Sequence, residues 1–120
     1  ADIDLRSRLT QHLMEVRALA LTGVRMGQEA KSNRGPTAAS SVLKNQGSIN
    51  RKERAELMVE MMGHQGLGWE AGAAFKPGEV AAIKTMLRSK SGTIAGGSQE
   101  AQRNIISKRI LGLPDATRSV

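Results

Sequence analysis

The stretch Leu5-Arg6-Ser7-Arg8-Leu9-Thr10-Gln11-His12-Leu13-Met14-Glu15-Val16-Arg17-Ala18-Leu19-Ala20-Leu21-Thr22-Gly23-Val24 decides the fold class. Leu5, Leu9, Leu13, Val16, Ala20 and Val24 recur at steps of three or four, which lays one continuous apolar stripe along a helix. A half-buried strand would alternate at every second residue, and no segment of the chain does so for long. Asp2 or Asp4 is placed to cap the start, because a carboxylate there accepts from unpaired amides at the positive end of the helix dipole. Gly23 and Gly27 weaken the far end, and Asn33-Arg34-Gly35-Pro36 predicts its stop.

Working outward, Pro36 opens a second helix at a favourable early position. Ala38, Val42 and Ile49 lead into Leu57, Met58, Met61 and Met62, and the helix is expected to end at Gly63. Gly47 interrupts the pattern at a cost of about 1 kcal/mol relative to Ala. One long helix with a soft point there is preferred to two short ones. Gly63 to Pro77 is rich in glycine and reads as a loop. A short third helix is predicted from Pro77 or Glu79 to about Lys90, with Val80, Ile83 and Leu87 on one face. A flexible stretch, Ser91 to Gly97, precedes a last helix from Ser98 to about Leu111, whose apolar side is Ile105, Ile106 and Ile110. The final six residues are expected to fray. The prediction is an all-α, antiparallel helical bundle in a single domain.

Composition agrees. The chain has 120 residues, one Trp, one Phe and no Tyr, so any core is built from Leu, Ile, Val, Met and Ala. Aliphatic, aromatic-poor sequences suit helix-on-helix packing better than sheets. A formal charge of +7 attracts polyanions in general. The cations are dispersed rather than blocked, and no aromatics stand among them to stack bases, so a nucleic-acid partner is not expected. Without cysteine there are no disulfides, thiolate metal sites or Cys nucleophiles. No apolar run approaches the roughly 20 residues that span a bilayer. Ala1-Asp2-Ile3-Asp4 lacks the basic start and apolar stretch of a signal peptide, and a soluble, cytoplasmic protein is expected.

Two segments bear on chemistry. In Gly96-Gly97-Ser98-Gln99-Glu100, paired glycines lead into a helix that begins on a capping Ser. Such a turn bares amides at the positive end of a dipole, a common way to hold phosphate, though from these residues alone a flexible turn with a Ser cap is the preferred reading. In Glu60-Met61-Met62-Gly63-His64-Gln65-Gly66-Leu67-Gly68-Trp69, His64 reads as a solvent-facing loop histidine, since His12 is distant and no metal-ligand spacing surrounds either. Trp69 and Met58, Met61, Met62 and Met86 are expected in the core. Arg51, Lys52 and Arg54 are expected on a solvated face.

The run Gly96-Gly97-Ser98-Gln99-Glu100-Ala101-Gln102-Arg103-Asn104-Ile105-Ile106, with Arg109-Ile110-Leu111-Gly112-Leu113-Pro114, resembles the C-terminal signature of acyl-CoA dehydrogenases, G-G-T-S-E-I-Q-R-N-I-I then R-x-L-G-L-P. Gly35-Pro36 through Lys44 resembles the same family's G-P-x-x-S-x-x-K helix start, and Leu57 through Trp69 resembles its glycine-rich turn. The resemblance implies the C-terminal helical domain of a longer enzyme that also has an N-terminal helical and a central β domain. It implies FAD as cofactor, acyl-CoA as substrate oxidised to 2-enoyl-CoA, and other subunits as partners in a dimer or tetramer. It further implies that Gly97, Ser98 and Glu100 lie near FAD phosphate or ribose, and that Glu60, Gly63 and His64 touch the FAD of a neighbouring subunit.

The departures are specific. Many members carry the catalytic Glu in Y-E-G-T, and those Tyr and Glu positions are Ala95 and Gly96 here. No catalytic residue is therefore expected within the chain, and the chain alone is expected to be inactive. Glu60 replaces the usual Gln, His64 the second glycine, and Ser98 a Thr that shares its hydroxyl. A non-catalytic partner subunit of a heteromeric acyl-CoA dehydrogenase is the alternative. A basic nucleic-acid-binding bundle rests on charge alone.

Overall fold

The computed structural model describes residues 2–32 and 39–114. Four helices account for most of them: α1 (Ile3–Lys31), α2 (Ala39–Met62), α3 (Pro77–Ser89) and α4 (Gln99–Arg109). There is no strand among the described residues. The predicted stop at Asn33-Arg34-Gly35-Pro36, the opening of α2 at Pro36 and the frayed tail fall outside the described residues.

Three of the helix starts have a local cause. Asp2 Oδ1 accepts from Leu5 N at 3.1 Å, which fixes the first turn of α1. Glu79 reaches back to the amide of Lys76 at 2.7 Å, and Pro77 supplies a φ already suited to a first helical residue. Ser98 Oγ accepts from Ala101 N at 3.3 Å at the head of α4. Helix α2 runs unbroken through Gly47, as expected for one long helix. Leu19 lies beside that glycine, its Cδ2 3.6 Å from where a Cβ would stand.

Helix α2 is the hub: α1, α3 and α4 each pack against it. Arg8 meets Glu60, His12 faces Glu53 and Glu15 meets Gln46, so α1 and α2 run antiparallel. Among the described residues the buried apolar side chains are Ala55 and Leu57 of α2 with Val80 and Ile83 of α3. This is a thin core for the number of apolar residues present.

Three expectations about packing are corrected. The stripe on α1 is wider than the face α2 covers. Leu5, Leu9, His12 and Leu19 turn inward, whereas Leu13 and Val24, about a quarter turn or more around from His12, stay 59% and 58% exposed. Among the described residues α3 and α4 sit on α2 and leave that flank uncovered. Met58 and Met61 are likewise exposed on α2. Trp69 is 59% exposed, with Lys84 Nζ 5.6 Å from its ring centroid. Two segments read as loops contain 3₁₀ turns, Gly63–Leu67 and Lys90–Thr93.

Candidate functional site

The turn before α4 is built by backbone chirality and one lysine. Gly96 (φ 70°) and Gly97 (φ 96°) both occupy a region that side-chain-bearing residues rarely adopt. The carbonyls of the turn are gathered by Lys44 of α2, whose Nζ donates to Gly97 O at 2.5 Å and Gly92 O at 3.2 Å. Gln102 Nε2 donates to Gly96 O at 3.3 Å. Drawing these carbonyls inward leaves the head of α4 at the surface, with Gly97 and Glu100 exposed and Ser98 half-buried.

The first amides of any α-helix lack partners within it. Here Ser98 Oγ takes that of Ala101, and the Glu100 carboxylate accepts from its own amide. That bond and another from the Ser98 hydroxyl hold the Glu100 carboxyl below the ordinary range. Nearby Arg103 assists against partial desolvation. The helix mouth is therefore open but carries a carboxylate at its rim.

The paired glycines also have a reason that needs no ligand. A Cβ on Gly97 would lie 2.7 Å from Gln102 Nε2, and positive φ alone disfavours other residues.

The second predicted locus closes α2. Glu60 is held by Arg8 in a bidentate pair, Nη1 to Oε1 and Nη2 to Oε2, each at 2.7 Å. The guanidinium bonds and charge lower the Glu60 carboxyl, and the same pair raises the Arg8 pKa. Gly63 has φ 56° and turns the chain out of α2. His64 is exposed, as expected, its ring centroid 6.2 Å from that of Phe75. Gly66 is needed because a Cβ there would meet Val59 O at 2.6 Å, and Gly68 because it lies under the Phe75 ring. The glycines of this segment thus serve close packing against the chain itself.

The predicted residues form two groups. Gly97, Ser98 and Glu100 share one turn, and Glu60, Gly63 and His64 another. Lys44 and Glu60 mark the two ends, and sixteen residues of α2 separate them by about 24 Å. One molecule of this chain does not bring them together. Sequence reasoning passed over three residues: Arg8, the carbonyl clamp of Lys44, and His12, which is buried. Lys44 had a signal, as the lysine of the quoted helix start. Arg8 and Glu60 are 52 residues apart, and no local pattern joins them.

Among the described residues no group of His, Cys, Asp or Glu side chains is arranged to hold a metal, and no helix is long and apolar enough to cross a membrane.

Fold and turns together define an all-helical domain organised on one central helix, with an open helix mouth behind a Gly-Gly-Ser turn. Residues 1–111 match the family model described as "Acyl-CoA dehydrogenase, C-terminal domain", and the chain belongs to that family. Two curated relatives are acyl-CoA dehydrogenases. FadE34 of Mycobacterium tuberculosis is 30% identical over 113 residues, covering 94% of this chain and 14% of the relative. IpdE1 of Mycolicibacterium smegmatis is 41% identical over 63 residues, covering 52% of this chain and 15% of the relative. The chain thus spans about one seventh of the length of these relatives. No solved structure matches it.

Proposed function

We propose that this chain serves as the C-terminal, FAD-contacting and oligomerising domain of an acyl-CoA dehydrogenase, a flavoenzyme oxidising acyl-CoA to 2-enoyl-CoA. The observation that carries the reading is the exposed head of α4, held open by Lys44 in a chain of this family. The residues suit FAD in a divided way. Amides at Gly97 and Ser98 suit a phosphate, since they stand at the positive end of the α4 dipole. The Glu100 carboxylate suits a hydroxyl donor such as ribose, and repels phosphate. At the second turn the Arg8 guanidinium neutralises Glu60, so an anion approaching Gly63 and His64 does not meet a bare carboxylate.

When bound, the flavin supplies the hydride acceptor of the family's reaction. The part of this chain is to position and to cover. Gly96, at φ 70°, brings no side chain to the position where many relatives carry a base. That observation also favours the second reading, a non-catalytic subunit that completes the flavin site of another chain. Exposed Leu13, Leu21 and Val24 on α1 support association with further domains or subunits, which sequester such apolar surface.

Amide chemical shifts followed during an ADP titration test the proposal. Saturable movement of Gly97, Ser98 and Glu100, without acyl-CoA turnover by this chain alone, is the expected result. Shifts scattered over the basic surface and absent from the α4 turn overturn the FAD contact, and measurable turnover overturns the non-catalytic role of this chain.

A further inference from the structure

A cleft of about 310 Å³ opens between α1 and α2 on the side away from Leu13, and Arg8, His12, Glu15, Glu53 and Glu56 line it. His12 is only 6% exposed, and its Nδ1 has no hydrogen-bond partner. Across the cleft lies Glu53 Oε2 at 3.6 Å, beyond hydrogen-bond range. A buried nitrogen left without a partner is costly, and native structures seldom tolerate it.

The charges around that nitrogen are unevenly matched. Arg8 is engaged by Glu60, and Glu56 by Lys90. Among the described residues Glu15 receives neutral amide groups alone, from Gln11 at 2.9 Å and Gln46 at 3.4 Å. Among the described residues the one ion contact of Glu53 is with His12. Two carboxylates therefore border the cleft without a lysine or arginine ion pair among the described residues, since the Arg8 that also lines it is taken by Glu60, although the chain as a whole carries a formal charge of +7. A neutral imidazole with its proton on Nε2 presents Nδ1 as an acceptor. In that form Nδ1, Glu53 and Glu15 are three neighbouring acceptors, and neither the Arg8 guanidinium nor the Gln11 amide that also line the cleft donates to Nδ1.

The group that completes such a set is positively charged and carries several N–H bonds. A metal ion is a poor occupant, since the side chains do not form a metal-binding group. We propose that the α1–α2 cleft binds an alkylammonium or guanidinium group, with Glu53 and Glu15 supplying charge and His12 Nδ1 accepting a hydrogen bond. Charge-assisted bonds from such a group satisfy the orphaned nitrogen and both carboxylates at once. The source of the group is either a free amine or a lysine or arginine side chain of a second copy of this chain.

The protein contains two histidines, His12 and His64, so the imidazole carbon-bound protons give one reporter in the cleft and one control outside it. Agmatine, which carries both head groups, is titrated at about pH 8, above the ordinary histidine range. The expected result is a saturable shift of His12 with His64 unmoved. Binding weakens about tenfold in Glu53→Gln, as for loss of one charge-assisted bond. Glu15→Gln weakens it in the same direction. Tetramethylammonium, equally charged but without N–H bonds, leaves His12 unmoved. A His12 shift that instead follows protein dilution, with light scattering showing dissociation, assigns the cation to a second copy. A His12 resonance indifferent to both agmatine and dilution overturns the proposal. So does an equal response in Glu53→Gln, or a response to tetramethylammonium matching that to agmatine.

Discussion

Replacing Lys44 with methionine isolates what holds the α4 turn in place. The substitution keeps the aliphatic stem and removes only the ammonium, which donates to Gly97 O and Gly92 O. A hydrogen bond from a charged group contributes about 1.5–3 kcal/mol net. The bond to Gly97 is exposed and that to Gly92 only partly buried, so water substitutes for much of both. The pair together should stabilise the fold by about 2 kcal/mol, equivalent to roughly a thirtyfold change in an equilibrium constant. For a chain of this length the melting midpoint falls by about 8 °C. Native-state hydrogen exchange gives the sharper readout. The amides of Ala101 and Gln102, which bond to Ser98 Oγ and Ser98 O, should lose protection about thirtyfold, while the amides of α1 and α2 around Arg8 and Glu60 keep their local protection. A midpoint within about 1 °C of the parent, with unchanged exchange at α4, would refute the argument that Lys44 positions the helix mouth.

Gly97→Ala combines positive-φ strain with displacement of Gln102, and should destabilise the protein by about 2 kcal/mol in urea titrations. Adding Gln102→Ala removes the clash but not the strain, so most of that loss should remain; full recovery would place the cost in the clash instead. Glu60 should show in the acid limb of stability. Its folded carboxyl lies below the ordinary value of 4.5, so its stabilisation is complete above that value and fades as pH falls through the folded pKa. Glu60→Gln should flatten this limb, and an unchanged pH profile of the melting temperature argues against the pair. The register of α1 predicts a contrast between neighbouring leucines. Leu13→Gln should change stability by no more than about 0.5 kcal/mol, whereas Leu19→Ala, half-buried beside Gly47, should cost about 1–2 kcal/mol in the same denaturation assay.

Periodicity and punctuation made the helices legible. The step of three and four in Leu5, Leu9 and Leu13, the cap at Asp2 and the Pro77–Glu79 start depend on neighbours a few residues away, and those are visible in a linear sequence. Which flank of α1 is covered depends instead on where α3 and α4 sit. The apolar stripe therefore predicted the helix correctly and misassigned Leu13 and Val24 to the interior. Trp69 failed for a related reason: burial of an indole requires apolar surface to lie over it, and what reaches it from α3 is the Lys84 side chain, which leaves it 59% exposed. At the candidate site the glycines were legible as backbone requirements, but their cause was not. Gly66 and Gly68 make room for Val59 and Phe75, and Gly97 makes room for Gln102. Close approach by the chain itself and close approach by a ligand leave the same mark in a sequence.

Glu60 shows how a distant contact changes the meaning of a departure from the family pattern. A carboxylate where the family has Gln would, by itself, oppose an anionic cofactor at that turn. The bidentate bond from Arg8 removes the net charge, and two of the five guanidinium N–H groups suffice for it. Another approaches Asp4 at 3.5 Å, a long and exposed contact that a better acceptor displaces at little cost. The pair as a whole therefore keeps guanidinium donors at the surface beside a carboxylate whose charge is matched. That arrangement supports keeping the turn around Gly63 and His64 among the proposed FAD contacts, with Arg8 as the side chain that faces the anion and Glu60 as the residue that holds Arg8 there.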